Sequence, residues 1–169
     1  MNKLDKIFSQ IYDQNIERIY RFIFLKVNSQ ELAQDLSSEV FLRIWEKIKQ
    51  KKGNPINNPR AFLYQTARNL VIDYYRVKDK NQTISSELVS IIDLKQNLEK
   101  KAILNSDLET IRTSLAELKE NYQNVIIWHY LDDLSISEIA ELLGRTEQST
   151  RVLLCRALES LRQKISQSC

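Results

Sequence analysis

The spacing of apolar residues predicts helices along most of the chain. Gly53, Pro55 and Pro59 interrupt this pattern, and Asn58 before Pro59 is typical of a helix N-cap followed by proline in the first turn. Apolar positions recur at the three- and four-residue intervals of a helix with one buried face in residues 4–27, 32–48, 59–77, 104–118, 122–131 and 135–164. We therefore predict an all-α protein.

These helices fall into two groups separated by a polar stretch. The sequence from Lys78 to Ser86 is polar and aperiodic, which is typical of a linker. The apolar residues that follow, at positions 88, 91, 92 and 98, predict that part of the linker packs against another apolar surface. We predict one small helical domain over residues 1–80, a linker over 81–105 and a second helical domain over 106–169.

Residues 134–164 contain the end signals of a helix-turn-helix. Ser135 and Glu138 have capping-box spacing at the start of the first helix, which has Ile136, Ile139, Ala140 and Leu143 on its predicted buried face. Gly144 supplies the left-handed conformation that ends this helix, and Thr146 caps the next. A small residue at 140 and a glycine four positions later allow two helices to cross closely, as in DNA-binding proteins. A helical hairpin without a DNA role is the alternative.

The second helix of this pair has two different faces. Leucines at 154, 158 and 161 and Ile165 form the core side. Its other side carries hydrogen-bonding, small apolar and cationic groups, which can read base edges in a major groove. The residues on that side are Gln148, Ser149, Val152, Cys155 and Arg156, with Arg151 on the flank. We interpret Cys155 as a small contact or surface residue, since no histidine or aspartate accompanies it.

Charge is spread unevenly along a chain whose formal net charge is +3. Residues 30–46 hold four acidic residues and one arginine, whereas residues 58–80 and residues 148–164 each carry a net +3. This distribution favours a polyanion bound at two places and a basic partner bound at a third. Solvated surface charge explains any one of these segments equally well.

Two further faces are candidates for binding. In residues 58–78 cations alternate with aromatic rings, a pattern suited to single-stranded nucleic acid, although tyrosines at helical spacing also serve as packing. The residues predicted outside the core there are Arg60, Tyr64, Arg68, Asn69, Tyr75 and Arg76. In residues 31–48, Leu42 falls among Asp35, Glu39 and Glu46, which indicates a protein contact centred on one apolar knob. A single exposed leucine without a role is the alternative.

Composition excludes several classes of protein. The first 14 residues have no long hydrophobic run, so we expect neither a signal peptide nor a membrane anchor. Cys155 and Cys169 make no disulfide framework, which favours a reducing compartment and a cytoplasmic protein. His129 is the only histidine, so the sequence has no His-based metal cluster or catalytic triad. We expect no enzyme activity, no metal and no cofactor.

Three segments, in order, resemble the bacterial extracytoplasmic-function (ECF) sigma factors, which are small two-domain initiation factors of RNA polymerase. Their region-two core-binding helix is similar to DLSSEVFLRIWEKI at residues 35–48, and their minus-ten segment to NPRAFLYQTARNLVIDYYR at 58–76. Their region four is similar to residues 115–162, although Leu153 takes a position that is often basic in the family. The resemblance covers the chain apart from residues 78–105.

The resemblance implies a transcription initiation factor that binds the β′ and β subunits of core polymerase, promoter DNA and an anti-sigma factor. A basic coiled coil of β′ would contact Asp35, Glu39, Leu42 and Glu46. The opened minus-ten element would contact Arg60, Tyr64, Arg68, Asn69 and Arg76. The duplex minus-thirty-five element would contact Gln148, Ser149, Arg151, Val152, Cys155 and Arg156. The alternative is a helix-turn-helix regulator that acts without polymerase, which would have no need of the acidic helix with Leu42.

Overall fold

The computed structural model describes residues 2–52, 54–81 and 106–168. These residues form helices and no strand, which confirms the predicted all-α class. The chain divides into an N-terminal unit, Met1–Tyr75, and a C-terminal unit, Arg76–Cys169. Residues 82–105 of the predicted linker lie outside the described residues. Within the described ranges, no helix is both long and apolar enough to span a lipid bilayer.

The N-terminal unit is built on α1 (Lys3–Val27), α2 (Gln30–Gln50) and α3 (Pro59–Asn81), and the last residues of α3, from Arg76 onward, belong to the C-terminal unit. α3 extends four residues beyond the predicted end at position 77. Its N-cap is the predicted one, because the Oδ1 atom of Asn58 accepts a hydrogen bond of 3.0 Å from the amide of Ala61. The turn between α1 and α2 is short: Asn28 adopts the left-handed conformation, and the Ser29 hydroxyl accepts from the amide of Leu32.

The core of this unit lies where the three helices face one another. α1 packs along α2, and the ring of Phe22 on α1 meets Tyr64 on α3 edge-on, with 5.6 Å between centroids. Lys47 of α2 lies over the ring of Phe62 of α3, which ties these two helices together at the surface. The residues with at most 1% of their surface exposed are Ile19, Phe22, Ile23, Ala33, Val40, Ile44, Ile48, Leu63, Tyr64 and Ala67.

The C-terminal unit contains four α-helices and one π-helical turn within the described residues. They are α4 (Ser106–Ala116), α5 (Glu120–Ile126), the π turn (Ile127–Leu131), α6 (Ile136–Leu143) and α7 (Glu147–Ser168). α7 packs against α4, α5 and α6. The sequence predicted one continuous helix over 122–131, but the amide of Asp132 donates to the carbonyl of Ile127, five residues back. This wider turn ends the helix with Trp128 buried and Tyr130 exposed.

The turn between α6 and α7 follows the end signals of the sequence. The hydroxyl of Ser135 accepts from the amide of Glu138 at 3.1 Å, and the Glu138 carboxylate accepts from the amide of Ser135 at 2.9 Å. Gly144 has φ of 62°, which favours glycine because a Cβ is strained there. The hydroxyl of Thr146 accepts from the amide of Ser149 at the start of α7. The predicted capping box, C-cap and second N-cap are therefore confirmed.

Two positions on α6 differ from the prediction, because Ile136 and Leu143 are both only partly covered. Leu142 is buried and Leu143 is only partly covered, whereas the sequence analysis placed Leu143 on the buried face. Leu142 follows the fully buried Ile139 by three residues, so it lies on the same side of the helix. The helix therefore buries a stripe through Ile139 and Leu142 rather than one through Leu143.

Candidate functional site

The exposed side of α2 forms an acidic face, which we define as Asp35, Glu39, Leu42 and Glu46. These residues follow one another at intervals of four, three and four, so they lie on one side of the helix. Half of the Leu42 surface is exposed. The Glu39 carboxylate accepts from the Nε of Arg43 at 2.9 Å at the surface. The predicted common surface is present, and its role in binding stays a prediction.

Beside Leu42 lies an open apolar groove, which we call the aromatic groove, between α1 and α2. Its rings form a connected series: the centroids of Phe8 and Trp45 are 5.3 Å apart, those of Tyr12 and Phe41 are 4.8 Å apart, and Phe8 and Tyr12 complete the link at 5.9 Å. The groove has a volume of about 460 Å³. Its lining consists of Asp5, Phe8, Ser9, Tyr12, Ser38, Phe41, Leu42 and Trp45.

Sequence reasoning missed this groove. The helical pattern over residues 4–27 predicts only one buried face for this helix and gives Tyr12 no role, although 38% of the Tyr12 surface is exposed. The available signal was the i, i+4 spacing of two aromatic residues near the start of α1. That spacing does not reveal that α2 supplies two more rings opposite them.

The exposed side of α3 carries most of the residues predicted for the minus-ten element. Asn69 and Arg76 are exposed, and Arg60 and Arg68 are partly exposed. Asn69 and Arg76 lie near one side of α3, whereas Arg60 precedes Asn69 by nine residues and therefore lies on the opposite side, at the start of the helix. The four side chains extend along the helix rather than enclose a single group.

Tyr64 does not belong to this surface. The prediction that it lies outside the core is wrong, because none of its surface is exposed and its ring packs edge-on against Phe22. Tyr64 precedes Ala67 by three residues and Val71 by seven, and both of these are buried, so the helical period places it on the core side. A ring in this position is not available to stack on a base.

Tyr75 is the tyrosine of α3 with the most exposed surface, at 37%. Its hydroxyl donates a hydrogen bond to the carbonyl of Lys26 at the end of α1, and its ring lies edge-on to Tyr74. Burial raises the pKa of the Tyr75 hydroxyl above its usual range, and the neighbouring Tyr74 raises it further. Tyr75 therefore keeps its proton at neutral pH and remains a hydrogen-bond donor.

The exposed side of α7 contains the residues predicted for duplex DNA. Gln148, Arg151, Cys155 and Arg156 are exposed, and 44% of the surface of Val152 is exposed. Ser149 is only partly exposed, and its hydroxyl donates to the carbonyl of Thr146 at 3.1 Å. Arg151 forms an exposed ion pair of 3.4 Å with Glu147, one turn earlier. The structure thus brings all six predicted residues to one side of α7, with Ser149 partly committed to the helix start.

Leu153, the position that is often basic in ECF sigma factors, belongs to the core here. Only 8% of its surface is exposed, and it lies beside Leu154 and near Ala157, which are also buried. The exposed side of α7 therefore has no cation at this position.

Two family profiles match the chain, and together they span both units. The profile described as Sigma-70 region 2 matches residues 11–81, and the profile described as Sigma-70, region 4 matches residues 108–161. The first match covers α2 and α3 and most of α1, including the acidic face. The second covers α5, the π turn and α6, together with most of α4 and α7.

Named relatives and one solved structure agree with these matches. The chain is 29% identical over 154 residues to the ECF RNA polymerase sigma factor SigM of Bacillus subtilis (strain 168), which covers 90% of this chain and 91% of that protein. It is 26% identical over 157 residues to the ECF RNA polymerase sigma factor BldN of Streptomyces coelicolor, covering 91% of this chain and 58% of the relative. The crystal structure of the sigma factor RpoE of Bartonella quintana, in complex with the anti-sigma factor NepR, has a similar fold. Its TM-score is 0.65 at 17% identity, and the match covers 95% of this chain and 98% of the other.

Sigma-70 regions two and four, in this order, define a transcription initiation factor that binds core RNA polymerase and directs it to promoters. The chain belongs to the ECF sigma factors.

Proposed function

We propose that the two units of this sigma factor divide its work between an acidic protein-binding surface and two DNA-binding surfaces. The observation that carries the proposal is the opposite charge of the exposed sides of α2 and α7, each of which surrounds a half-exposed aliphatic side chain. The N-terminal unit would hold polymerase and the opened minus-ten element. The C-terminal unit would read the minus-thirty-five element as duplex.

The acidic face would dock on a basic coiled coil of the β′ subunit. Asp35 and Glu46 would attract the cations of that segment, and burial of Leu42 would supply the nonpolar part of the binding free energy. The charges would chiefly set the rate and orientation of the encounter, because exposed charge pairs contribute little to the affinity of a complex.

The exposed side of α3 would bind the non-template strand of the opened minus-ten element. Asn69 is the candidate for base recognition, since an amide both donates to and accepts from a base edge. Arg60, Arg68 and Arg76 would meet phosphates along the helix. Tyr75, rather than Tyr64, would be the ring of α3 that meets a base, because part of its surface is exposed.

The exposed side of α7 would enter the major groove of the minus-thirty-five element. Residues near the start of such a helix face base edges, so Gln148, Ser149, Val152 and Arg156 are the candidates for sequence discrimination. Cys155 would make a small contact between them. Arg151 lies on the flank and would meet a phosphate.

This work requires no covalent chemistry. The factor would act by binding strand-separated promoter DNA more tightly than closed duplex, which shifts the equilibrium of the polymerase complex toward the open state. We place it in the cytoplasm with the polymerase. An anti-sigma factor that covered the acidic face or the exposed side of α7 would block function, and the complex of RpoE with NepR is a precedent for such a partner.

Co-purification of the chain with core polymerase, followed by transcription from a library of promoters, tests the proposal. We expect a stable holoenzyme and transcripts that begin downstream of a shared pair of elements. A stand-alone helix-turn-helix regulator would instead bind duplex DNA without polymerase and start no transcripts. That outcome would overturn the proposed function.

A further inference from the structure

We propose that the aromatic groove receives one large apolar side chain from a basic helical segment of core polymerase. Leu42 would then be one wall of a socket, rather than the knob that the sequence predicted. This inference rests on the proposed function of the acidic face and adds α1 to the surface that binds polymerase.

The shape of the site supports a socket. Leu42 lies at the edge of the groove, and the rings of Phe8, Tyr12, Phe41 and Trp45 line it from two helices. Its volume of about 460 Å³ lies within the range of small-molecule pockets, roughly 300–1,000 Å³. That is enough for one large aliphatic or aromatic side chain. Filling the groove would cover apolar surface of Leu42, Phe8, Tyr12 and Trp45, whereas only 3% of Phe41 is exposed at its floor. A simple knob contact would cover Leu42 alone.

The charges around the groove indicate what kind of segment enters it. Asp35, Glu39 and Glu46 run along α2 beside the Leu42 wall, and Asp5 of α1 is part of the lining. Lys49 is held against the ring of Trp45 in the groove wall, with its Nζ 5.6 Å from the centroid, in a cation–π contact. A partner with cations spaced along a helix would match the three acids of α2 while it directs one apolar side chain into the groove.

The acidic face and the aromatic groove are continuous, because Leu42 belongs to both. A partner seated on the face therefore covers the mouth of the groove. The two surfaces together have the arrangement of a protein–protein contact with an apolar centre and a charged rim.

Two variants change the groove without touching the acidic residues. Tyr12→Ala removes an α1 ring from the wall, and Ser9→Trp fills the groove from within. Tyr20→Ala is the matched control, because Tyr20 is a tyrosine of the same helix whose ring stacks on Phe24 outside the groove. Leu42→Arg tests the acidic face itself. Thermal unfolding of each full-length variant checks that it is folded.

The measurement is the affinity of each full-length variant for core polymerase, by competition with labelled wild-type protein. We expect Tyr12→Ala and Ser9→Trp to bind about tenfold more weakly, since buried aromatic contacts at the centre of an interface contribute about 1–2 kcal/mol or more. Tyr20→Ala should bind like the wild type. Because Ser9→Trp removes none of the ring contacts in the wall, a loss of binding in this variant reports a blocked socket.

The outcomes separate this inference from the proposed function. If Leu42→Arg prevents assembly while Tyr12→Ala and Ser9→Trp bind normally, Leu42 is a simple knob and the socket is wrong, but the proposed function stands. Normal binding by Leu42→Arg as well would overturn both. Equal losses in Tyr20→Ala and Tyr12→Ala would indicate a general effect on α1 and contradict the socket.

A photo-crosslinking amino acid at position 12 identifies the occupant. We expect Tyr12→p-benzoylphenylalanine in reconstituted holoenzyme to crosslink to a helical segment of the polymerase that is rich in lysine and arginine. The same substitution at Tyr20 should give no such product. A crosslink to a different kind of segment, or none in an assembled holoenzyme, would overturn the inference.

Discussion

α2 and α7 have similar lengths, 21 and 22 residues, and each exposes one aliphatic residue in the middle of a charged surface. Half of the surface of Leu42 and 44% of the surface of Val152 are exposed. The neighbours of Leu42 are carboxylates, whereas those of Val152 are an arginine, Arg156, and an amide, Gln148. An exposed aliphatic residue therefore does not identify a partner. The sign of the charge and the hydrogen-bonding capacity of the surrounding residues favour a protein partner at Leu42 and DNA at Val152.

The two surfaces also differ in shape. Leu42 opens onto a groove whose walls come from α1 and α2, so this surface can receive a side chain. Val152 lies on one helix between Gln148 and Arg156, each one turn away, so this surface is convex and suits insertion into a groove of the partner. B-DNA has such a groove, about 12 Å wide.

Leu42→Arg tests the protein-binding side and should have the largest effect. A cation in place of the apolar centre would face the basic partner, and we expect the affinity for core polymerase to fall by a factor of about 30 or more. Competition binding with labelled wild-type protein measures this loss. Val152→Arg is the matched control on α7 and should assemble normally. Unchanged affinity of a folded Leu42→Arg protein would remove α2 from the polymerase interface.

Arg156→Ala tests base reading on α7. A bidentate arginine–guanine contact contributes about 1–3 kcal/mol against the wrong base, so the variant should lose its preference at one position of the minus-thirty-five element. Transcription by holoenzyme, on promoters changed one base pair at a time, shows which position is affected. A uniform loss with every preference retained would place Arg156 on a phosphate instead.

Asn69→Ala tests whether α3 binds the opened strand. Loss of a hydrogen-bonding group at a base edge costs about 1 kcal/mol, so we expect about a fivefold smaller fraction of open complex in permanganate footprints of the minus-ten element. Gln65→Ala, another exposed polar residue of α3, is the control. Intact melting by the Asn69 variant would show that its amide does not contact the base.

Arg151→Ala should have the smallest effect and the least sequence dependence. A phosphate contact carries no base information, so binding to all promoters should weaken alike. The slope of log affinity against log salt concentration should become smaller in magnitude by about one unit. Titration of holoenzyme binding against salt measures this slope. Glu147→Ala removes the ion partner of Arg151 without removing the cation, so it should not weaken binding. Altered preference at a single base pair in Arg151→Ala would instead place this residue at a base edge.

Local rules explain why the helix-turn-helix could be predicted closely. The capping box at Ser135, the left-handed Gly144 and the cap at Thr146 depend on residues within one or two turns of each other. The all-α class follows from helical periodicity in the same way. The π turn at Ile127–Leu131 escaped prediction, since its five-residue hydrogen bond leaves the apolar pattern unchanged.

Tertiary contacts explain what the sequence analysis missed. The helical period places Tyr64 on the same side as Ala67 and Val71, but tyrosine tolerates either side of a helix. Its full burial depends on the edge-on contact with Phe22, which lies 42 residues earlier. The aromatic groove exists only because α1 and α2 place two pairs of rings together. The acidic face, in contrast, required only the spacing of residues along α2.

The burial of Leu153 has a consequence for how the factor searches the chromosome. α7 gains no cation–phosphate contact at this buried position, and such a contact adds to the nonspecific affinity for DNA. Without it, the free factor should leave random duplex quickly, so less of it is held at the many competing genomic sites. Promoter selection would then depend on polymerase, whose tethering raises the local concentration of α7 at the minus-thirty-five element.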